Sequence, residues 1–235
     1  MLFPSLDLDI VFDLISGVVA LLVSYYAFRY TKLLENSTLK FISLGFIMLG
    51  FGLLIEATVF SLVVFNIGHV TNVRIFALGT AALYDILQIG AYFLFAVGYL
   101  RSAFAKSLPK IGSAGTAALL ALPIAISPGT ERVRAMLHLT RTIFVISEIF
   151  SVIFLAIVVF VGLLSYSETR HRFSLFVLTS FALILAAQVF ELWTALSVSV
   201  GLEFVGSAVQ FAGFLTLLLF LIWRNKIGSA RKAAQ

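Results

Sequence analysis

Long apolar segments, separated by short polar segments, occupy most of this chain. A helix needs about 20 predominantly apolar residues to cross the hydrocarbon core of a bilayer. The pattern therefore predicts an all-α fold, a seven-transmembrane helical bundle. The predicted helices span residues 10–30, 41–65, 75–100, 111–126, 139–166, 173–198 and 203–223.

The loops between these helices are too short to form a soluble domain, so residues 1–235 are predicted to form a single transmembrane domain. Helix 4 is the shortest and is rich in Ala and Gly, which suggests a 3+1+3 arrangement. Two helix triplets, residues 1–101 and 138–225, would be joined by residues 111–127 and followed by a short basic tail, residues 226–235. Aligning Lys40 with Arg172 places Glu56 opposite Gln188, and parallel repeats of this kind occur in membrane transporters.

The composition excludes a soluble protein. Of the 235 residues, 61% are apolar and 11% are charged, whereas soluble domains have about 45–50% and about 25%. A water-soluble fold of this size could not hide so much apolar surface. The bilayer is thus the expected partner of most side chains, and we expect a multi-pass protein of a prokaryotic cell membrane, with its first apolar segment retained as a helix.

Basic residues are distributed asymmetrically between the two sides of the predicted bundle. If the N-terminus lies outside, twelve of the 16 Lys and Arg residues fall in cytoplasmic segments, as the positive-inside rule requires. This predicts an external N-terminus and a cytoplasmic C-terminus. Because these residues flank the spans, the net charge of +5 does not indicate a nucleic-acid partner.

Polar and ionisable residues within the predicted spans are the candidate functional residues, because they are costly in lipid and must face a partner or a water-filled cavity. Helical spacing places them on shared faces and mostly in the outer half of the membrane. The inner halves are more apolar. The predicted ligand site or buried polar network consists of Glu56, Asp85, Gln88, Arg141, Glu148, Gln188, Glu191 and Gln210. We expect this site to open toward the outside and an apolar plug to close the cytoplasmic side.

Two interpretations of this set stay open. Arg141 with Asp85 or Glu148 could bind a polar ligand, or the same residues could form an internal salt-bridge network that orders the bundle. No metal site, cofactor or catalytic residue is predicted, and we expect a non-enzymatic protein. The chain has no Cys and only three His residues, and Asp85 is the only Asp deep within a predicted span.

One short segment resembles a known family. Ser207 to Leu215, SAVQFAGFL, is similar to the last helix of microbial rhodopsins, and Asp85 resembles their helix-3 counter-ion. The resemblance implies seven helices with an external N-terminus. However, Gln210 lies roughly where the retinal lysine would be and no predicted span contains a lysine, so no Schiff base can form and retinal binding is disfavoured.

The leading functional interpretation is a receptor-like or accessory membrane protein with an outward-facing polar site. Because the chain has no output domain, it would act through a membrane protein partner or as a homo-oligomer. The alternatives are a small-solute transporter of two three-helix repeats and a structural subunit of a larger membrane complex.

Overall fold

The computed structural model describes residues 4–34, 37–65, 71–103, 130–170, 172–197 and 200–233. Within this part of the chain there are six α-helices and no strand. The helices are α1 (Pro4–Leu34), α2 (Ser37–Phe65), α3 (Thr71–Ala103), α4 (Thr130–Thr169), α5 (Arg172–Ser197) and α6 (Val200–Ala233). Each contains an apolar segment of at least 21 residues, which is long enough to cross a membrane. The all-helical prediction and six of the predicted spans are thus confirmed.

The seventh predicted span, residues 111–126, lies outside the described residues and stays a prediction. The helices that are described extend beyond their predicted ends. Residues 130–138, predicted as loop, form the first turns of α4, and α6 continues through the basic tail to Ala233. These segments contain good helix formers and no proline, so the helices continue into polar sequence, whereas hydropathy detects only the part within the bilayer.

The six described helices form a closed ring in chain order. Each helix packs against the next one, and α6 closes the ring against α1. Small residues allow the closest approaches. Gly17 of α1 faces Gly50 of α2, and a Cβ added to Gly50 would lie 3.0 Å from the Gly17 carbonyl oxygen. Further along α1 in the same interface, the Ser24 and Ser43 hydroxyls each donate to the other residue's carbonyl oxygen, at 2.8 and 3.0 Å.

The helix directions follow from a cavity at one end of the ring. The C-terminal turns of α1, α3 and α4 and the segment 217–224 of α6 line this cavity together with the first turns of α2 and α5. We call this end of the bundle, near which Arg101, Arg170 and Arg224 lie, the basic end. Since α3 and α4 both end there, they run in the same direction, as a crossing of the chain between them would require.

Large apolar side chains cover the outer surface of the ring, and several polar side chains are buried inside it. Large apolar side chains such as Phe160, Trp193 and Leu219 point away from the ring and are 58–61% exposed. Gln88, Glu148, Gln188 and Gln210 point inward and are buried. This arrangement matches a lipid environment, in which apolar side chains face outward and polar groups must be satisfied inside.

Candidate functional site

A cluster of polar side chains lies inside the ring, away from the basic end. We call it the polar cluster. It comprises Asp85, Gln88 and Tyr92 of α3, Glu148 and Ser151 of α4, Gln188 and Glu191 of α5, and Gln210 of α6. All of these residues except Glu191 are buried, and Glu191 is partly buried. Helical spacing explains the alignment, because residues three, four or seven positions apart lie on one face of a helix.

Hydrogen bonds connect α3 and α5 through the centre of the polar cluster. The Gln88 Nε2 amide donates to Gln188 Oε1 at 2.6 Å, and Gln188 Nε2 donates to Glu191 Oε2 at 2.5 Å. Together, these two hydrogen bonds satisfy both the oxygen and the nitrogen of the Gln188 side-chain amide. Gln88 lies on α3 and Gln188 on α5, so the hydrogen bond between them joins the two halves of the ring.

Four buried atoms of the polar cluster have no hydrogen-bond partner among the described residues. They are Tyr92 Oη, Glu148 Oε2, Ser151 Oγ and Gln210 Nε2. The Tyr92 hydroxyl lies near the Gln88 and Gln210 side chains, but these approaches do not have hydrogen-bond geometry. An unsatisfied buried polar group costs about 1–3 kcal/mol. Four such atoms, from three helices, lie at this one site.

Acidic side chains surround Glu148. Its carboxylate interacts electrostatically with Glu191, Asp85 and Glu56, which come from α5, α3 and α2. Tyr84 on α3 interacts with Asp13 of α1 in addition to Glu56 and Glu191. Five of the six described helices, α2 to α6, therefore supply a side chain to the polar cluster or to its edge. A low-dielectric interior does not hold several ionised carboxylates without compensating positive charge.

The structure brings most of the predicted site residues together. Asp85, Gln88, Glu148, Gln188, Glu191 and Gln210 belong to the polar cluster, and Glu56 is partly buried at its edge. Arg141 lies on α4, seven residues before Glu148, but its side chain is outside the described ones. Tyr92 and Ser151 are further members that the predicted set omits. Their helical spacing from Gln88 and Glu148 was the available signal.

An aromatic layer closes the side of the polar cluster that faces the basic end. It consists of Phe46, Phe95, Phe181 and Phe214, each at most 1% exposed. The ring centroids lie 4.8 Å apart for Phe46 and Phe95, 5.6 Å for Phe46 and Phe214, and 5.4 Å for Phe95 and Phe181. The last two pairs have edge-to-face geometry, which is favourable for aromatic rings. The layer separates the polar cluster from water at the basic end.

Beyond the aromatic layer, the ring encloses a cavity of about 530 Å³ that reaches the basic end. Phe181 belongs to both the layer and the cavity wall. Hydroxyl-bearing side chains and the charged Glu168 and Arg224 lie around the mouth. The Arg224 guanidinium carbon lies 5.3 Å from the centroid of the Tyr30 ring, within cation–π distance.

The described cavity lies at the end of the ring where the sequence predicts an apolar plug. The pattern predicts a pocket that opens at the end opposite the basic segments, together with an apolar plug toward the basic end. In the structure Gln88, Glu148, Gln188 and Gln210 are at most 2% exposed, and the described cavity lies on the basic side of the aromatic layer; the predicted outer opening involves residues outside the described ones and stays a prediction. The distribution of polar residues locates the cluster, whereas side-chain volumes and helix tilt determine where space remains.

Among the side chains that the structure describes, no group of three or more His, Cys, Asp or Glu residues could hold a metal ion. The polar cluster is thus a set of carboxylates, amides and hydroxyls, which can bind protons, cations or hydrogen-bonding solutes. No protein-family model, curated protein or solved structure matches this chain.

Proposed function

We propose that this protein is a membrane transporter of a small polar solute, with the polar cluster as its central binding site. The observation that carries the proposal is the succession along the ring axis of a buried polar cluster, an aromatic layer and a cavity of about 530 Å³ open at one end. A transporter that alternates between two sides needs a central binding site, a barrier beside it and an access cavity beyond the barrier.

The polar cluster supports this proposal because it has unused binding capacity. Tyr92, Ser151 and Gln210 can donate hydrogen bonds and Glu148 can accept them, yet the atoms in question have no partner in the described structure. A purely structural network would be expected to satisfy its own members. A solute that enters the cluster would satisfy them instead.

The aromatic layer supports alternating access because it is thin and lies between the two halves of the ring. Phe46 and Phe95 belong to the first triplet, α1–α3, and Phe181 and Phe214 to the second, α4–α6. If the two triplets are repeats, Phe46 corresponds to Phe181 and Phe95 corresponds to Phe214. The counterpart of the Phe46–Phe214 contact is then the Phe181–Phe95 contact. Both contacts occur, at 5.6 and 5.4 Å.

This correspondence agrees with the proposal of two parallel three-helix repeats, but in a different register from the one that aligns Glu56 with Gln188. The pairing of Phe46 with Phe181 also pairs the buried residues Leu49 and Ile184. Rocking of one triplet against the other would separate the rings of the layer without breaking contacts within a triplet. Rigid-body movements of this kind are the usual mechanism in repeat-built transporters.

The receptor-like interpretation requires an outer pocket and a closed inner half, and the described cavity lies on the other side of the aromatic layer. The structural-subunit interpretation requires that the polar groups satisfy one another, and four of them do not. A protein partner or a homo-oligomer stays a prediction of the sequence. Transport through a ring that α1 and α6 close against each other does not need one.

Alternating access can be tested without knowing the solute. The chain has no native cysteine, so a single Ser151→Cys substitution places one thiol in the polar cluster. In proteoliposomes of uniform orientation, a membrane-impermeant thiosulfonate reagent is applied from one side and then, in a separate sample, from the other. We expect labelling from both sides, because the cluster opens to each in turn.

The matched control is Ser24→Cys, because Ser24 is a buried serine that lies between α1 and α2, within the first triplet. It should be labelled from neither side. Labelling of Ser151→Cys from one side only would favour a receptor-like site, and labelling from neither side would favour a structural network. Both results would reject transport.

A further inference from the structure

We infer that transport is coupled to protons and that Glu148 is the residue that carries the proton. The inference rests on the proposed transport function and adds the coupling ion to it. It starts from the geometry of one side chain: Glu148 is 1% exposed, lies inside the ring, and has an Oε2 atom without a hydrogen-bond partner in the described structure.

The charged neighbours that the structure describes around Glu148 are all acidic. Asp85 faces it from α3, Glu191 from α5 and Glu56 from α2. Among the described side chains, the Tyr92 hydroxyl of α3 is a further titratable neighbour, and α6 contributes the neutral Gln210. An ionised Glu148 is therefore repelled by its neighbours and has lost its hydration. A bound proton removes both costs.

A positive side chain could supply the same compensation. Arg141 lies on α4 seven residues before Glu148, with its side chain outside the described ones, and a permanently charged guanidinium would leave Glu148 ionised and unable to exchange a proton. The two cases differ in a measurable way. A carboxylate that takes up and releases protons makes the conformational equilibrium depend on pH, whereas an arginine ion pair does not.

The proposed cycle conserves charge and atoms. When the polar cluster is open to one side, the Glu148 carboxylate takes a proton from water on that side. The neutral carboxyl group and the solute then cross together as the triplets rock, and Glu148 releases the proton to water on the other side. The empty protein then returns with Glu148 ionised. One proton thus moves with each solute in the same direction, and no other reactant is needed.

The experiment measures how pH on one side affects access from the other. The Ser151→Cys protein is labelled from one side of the membrane at constant pH on that side, so the reactivity of the thiol is unchanged. The pH on the far side is varied. Linkage of one proton to the conformational change alters the ratio of the two open states by up to about tenfold per pH unit, and we expect the labelling rate to change accordingly.

Glu148→Gln in the same background should abolish this far-side pH dependence while labelling from both sides persists. Glu168→Gln, a matched change at the mouth of the cavity, should retain the dependence. Glu148→Asp keeps a carboxyl group and should also retain it with a shifted midpoint, which tests the inference if the Gln variant does not fold.

The outcomes separate the inference from the proposed function. Labelling of the Ser151→Cys protein from both sides without any far-side pH dependence would overturn proton coupling and leave transport standing. Persistence of the dependence in Glu148→Gln would overturn the assignment to Glu148. Labelling from one side only would overturn the transport function itself.

Discussion

At the residue scale, the meaning of a polar side chain depends on which neighbour it meets. Gln188 was predicted from its position in an apolar span, and in the structure it lies between Gln88 and Glu191 with both ends of its amide satisfied. Gln210 was predicted on the same grounds, but its Nε2 atom has no partner in the described structure. The sequence thus identified both as costly in lipid, and only the packing distinguished a structural amide from an unused donor.

The Ser24–Ser43 contact should contribute measurably to the α1–α2 interface. We expect Ser24→Ala and Ser43→Ala each to destabilise the protein by roughly 0.6 kcal/mol, since interhelical hydrogen bonds in membranes average about that value and each substitution removes one hydroxyl donor. The free energy of unfolding in mixed detergent and SDS micelles provides the measurement. Unchanged free energies of unfolding in both variants would contradict a stabilising role for these two hydrogen bonds.

Close helix contact makes Gly50 intolerant of a side chain. A Cβ there would lie 2.8 Å from Leu21 and 3.0 Å from the Gly17 carbonyl oxygen, and backbone cannot yield cheaply. We expect Gly50→Ala to destabilise the protein by about 1–3 kcal/mol, as overpacking does, measured by thermal unfolding in detergent.

The matched control is Gly79→Ala, because a Cβ at Gly79 meets no atom within 4 Å. Alanine is the better helix former, so this variant should be neutral or more stable by up to about 1 kcal/mol. Equal destabilisation by the two substitutions would show that the α1–α2 distance does not determine the requirement for glycine.

At the scale of elements, hydropathy predicted the existence of the described helices but underestimated their lengths. The α4 helix begins at Thr130, although the apolar pattern predicts a start at residue 139, and α6 continues to Ala233. A helix does not end where the membrane ends, because its backbone hydrogen bonds continue until a breaker or a competing contact stops them. Hydropathy measures the lipid contact alone.

The aromatic layer is an element-scale feature to which α2, α3, α5 and α6 each contribute one ring. We expect Phe181→Ala to connect the cavity with the polar cluster, because Phe181 belongs to the wall of the one and the seal of the other. The rate of Ser151→Cys labelling from the basic end should rise roughly tenfold, the effect of lowering a barrier by about 1.4 kcal/mol.

Phe160→Ala is the control for this experiment, because Phe160 is 61% exposed on the outer surface of α4 and is not part of the layer. It should leave the labelling rate unchanged. If both variants increase labelling equally, general loosening of the bundle explains the effect and the layer is not the barrier.

At the scale of the whole molecule, the directions of the helices constrain the path of the chain. Ser102 at the end of α3 and Ser165 near the end of α4 line the same cavity, whereas Ser197 ends α5 at the opposite end of the ring. Single cysteines at Ser102 and Ser165 should therefore be labelled from one side of the membrane, and a cysteine at Ser197 from the other. The excess of basic residues predicts that the first side is cytoplasmic.

Labelling of Ser102→Cys and Ser165→Cys from opposite sides would contradict the parallel directions of α3 and α4. It would also remove the reason for a crossing between them, and with it the support for the predicted span 111–126. The experiment thus tests the seven-span topology through residues that the structure describes.

The sequence by itself determined that this is a helical membrane protein, because apolar segments of this length can be buried only in lipid and a backbone in lipid must form its own hydrogen bonds. It also determined which polar residues face inward, since helical spacing aligns Asp85 with Gln88 and Gln188 with Glu191. These are local properties that each helix carries independently of its neighbours.

Only the tertiary structure decided how those faces meet. The closure of α6 on α1, the burial of the polar cluster, the aromatic layer and the cavity at the basic end all depend on side chains distant in sequence, such as Gln88 with Gln188 and Phe46 with Phe214. Periodicity within one helix contains no information on the rotation and tilt of its neighbours, and those determine which polar groups find partners and where space is left.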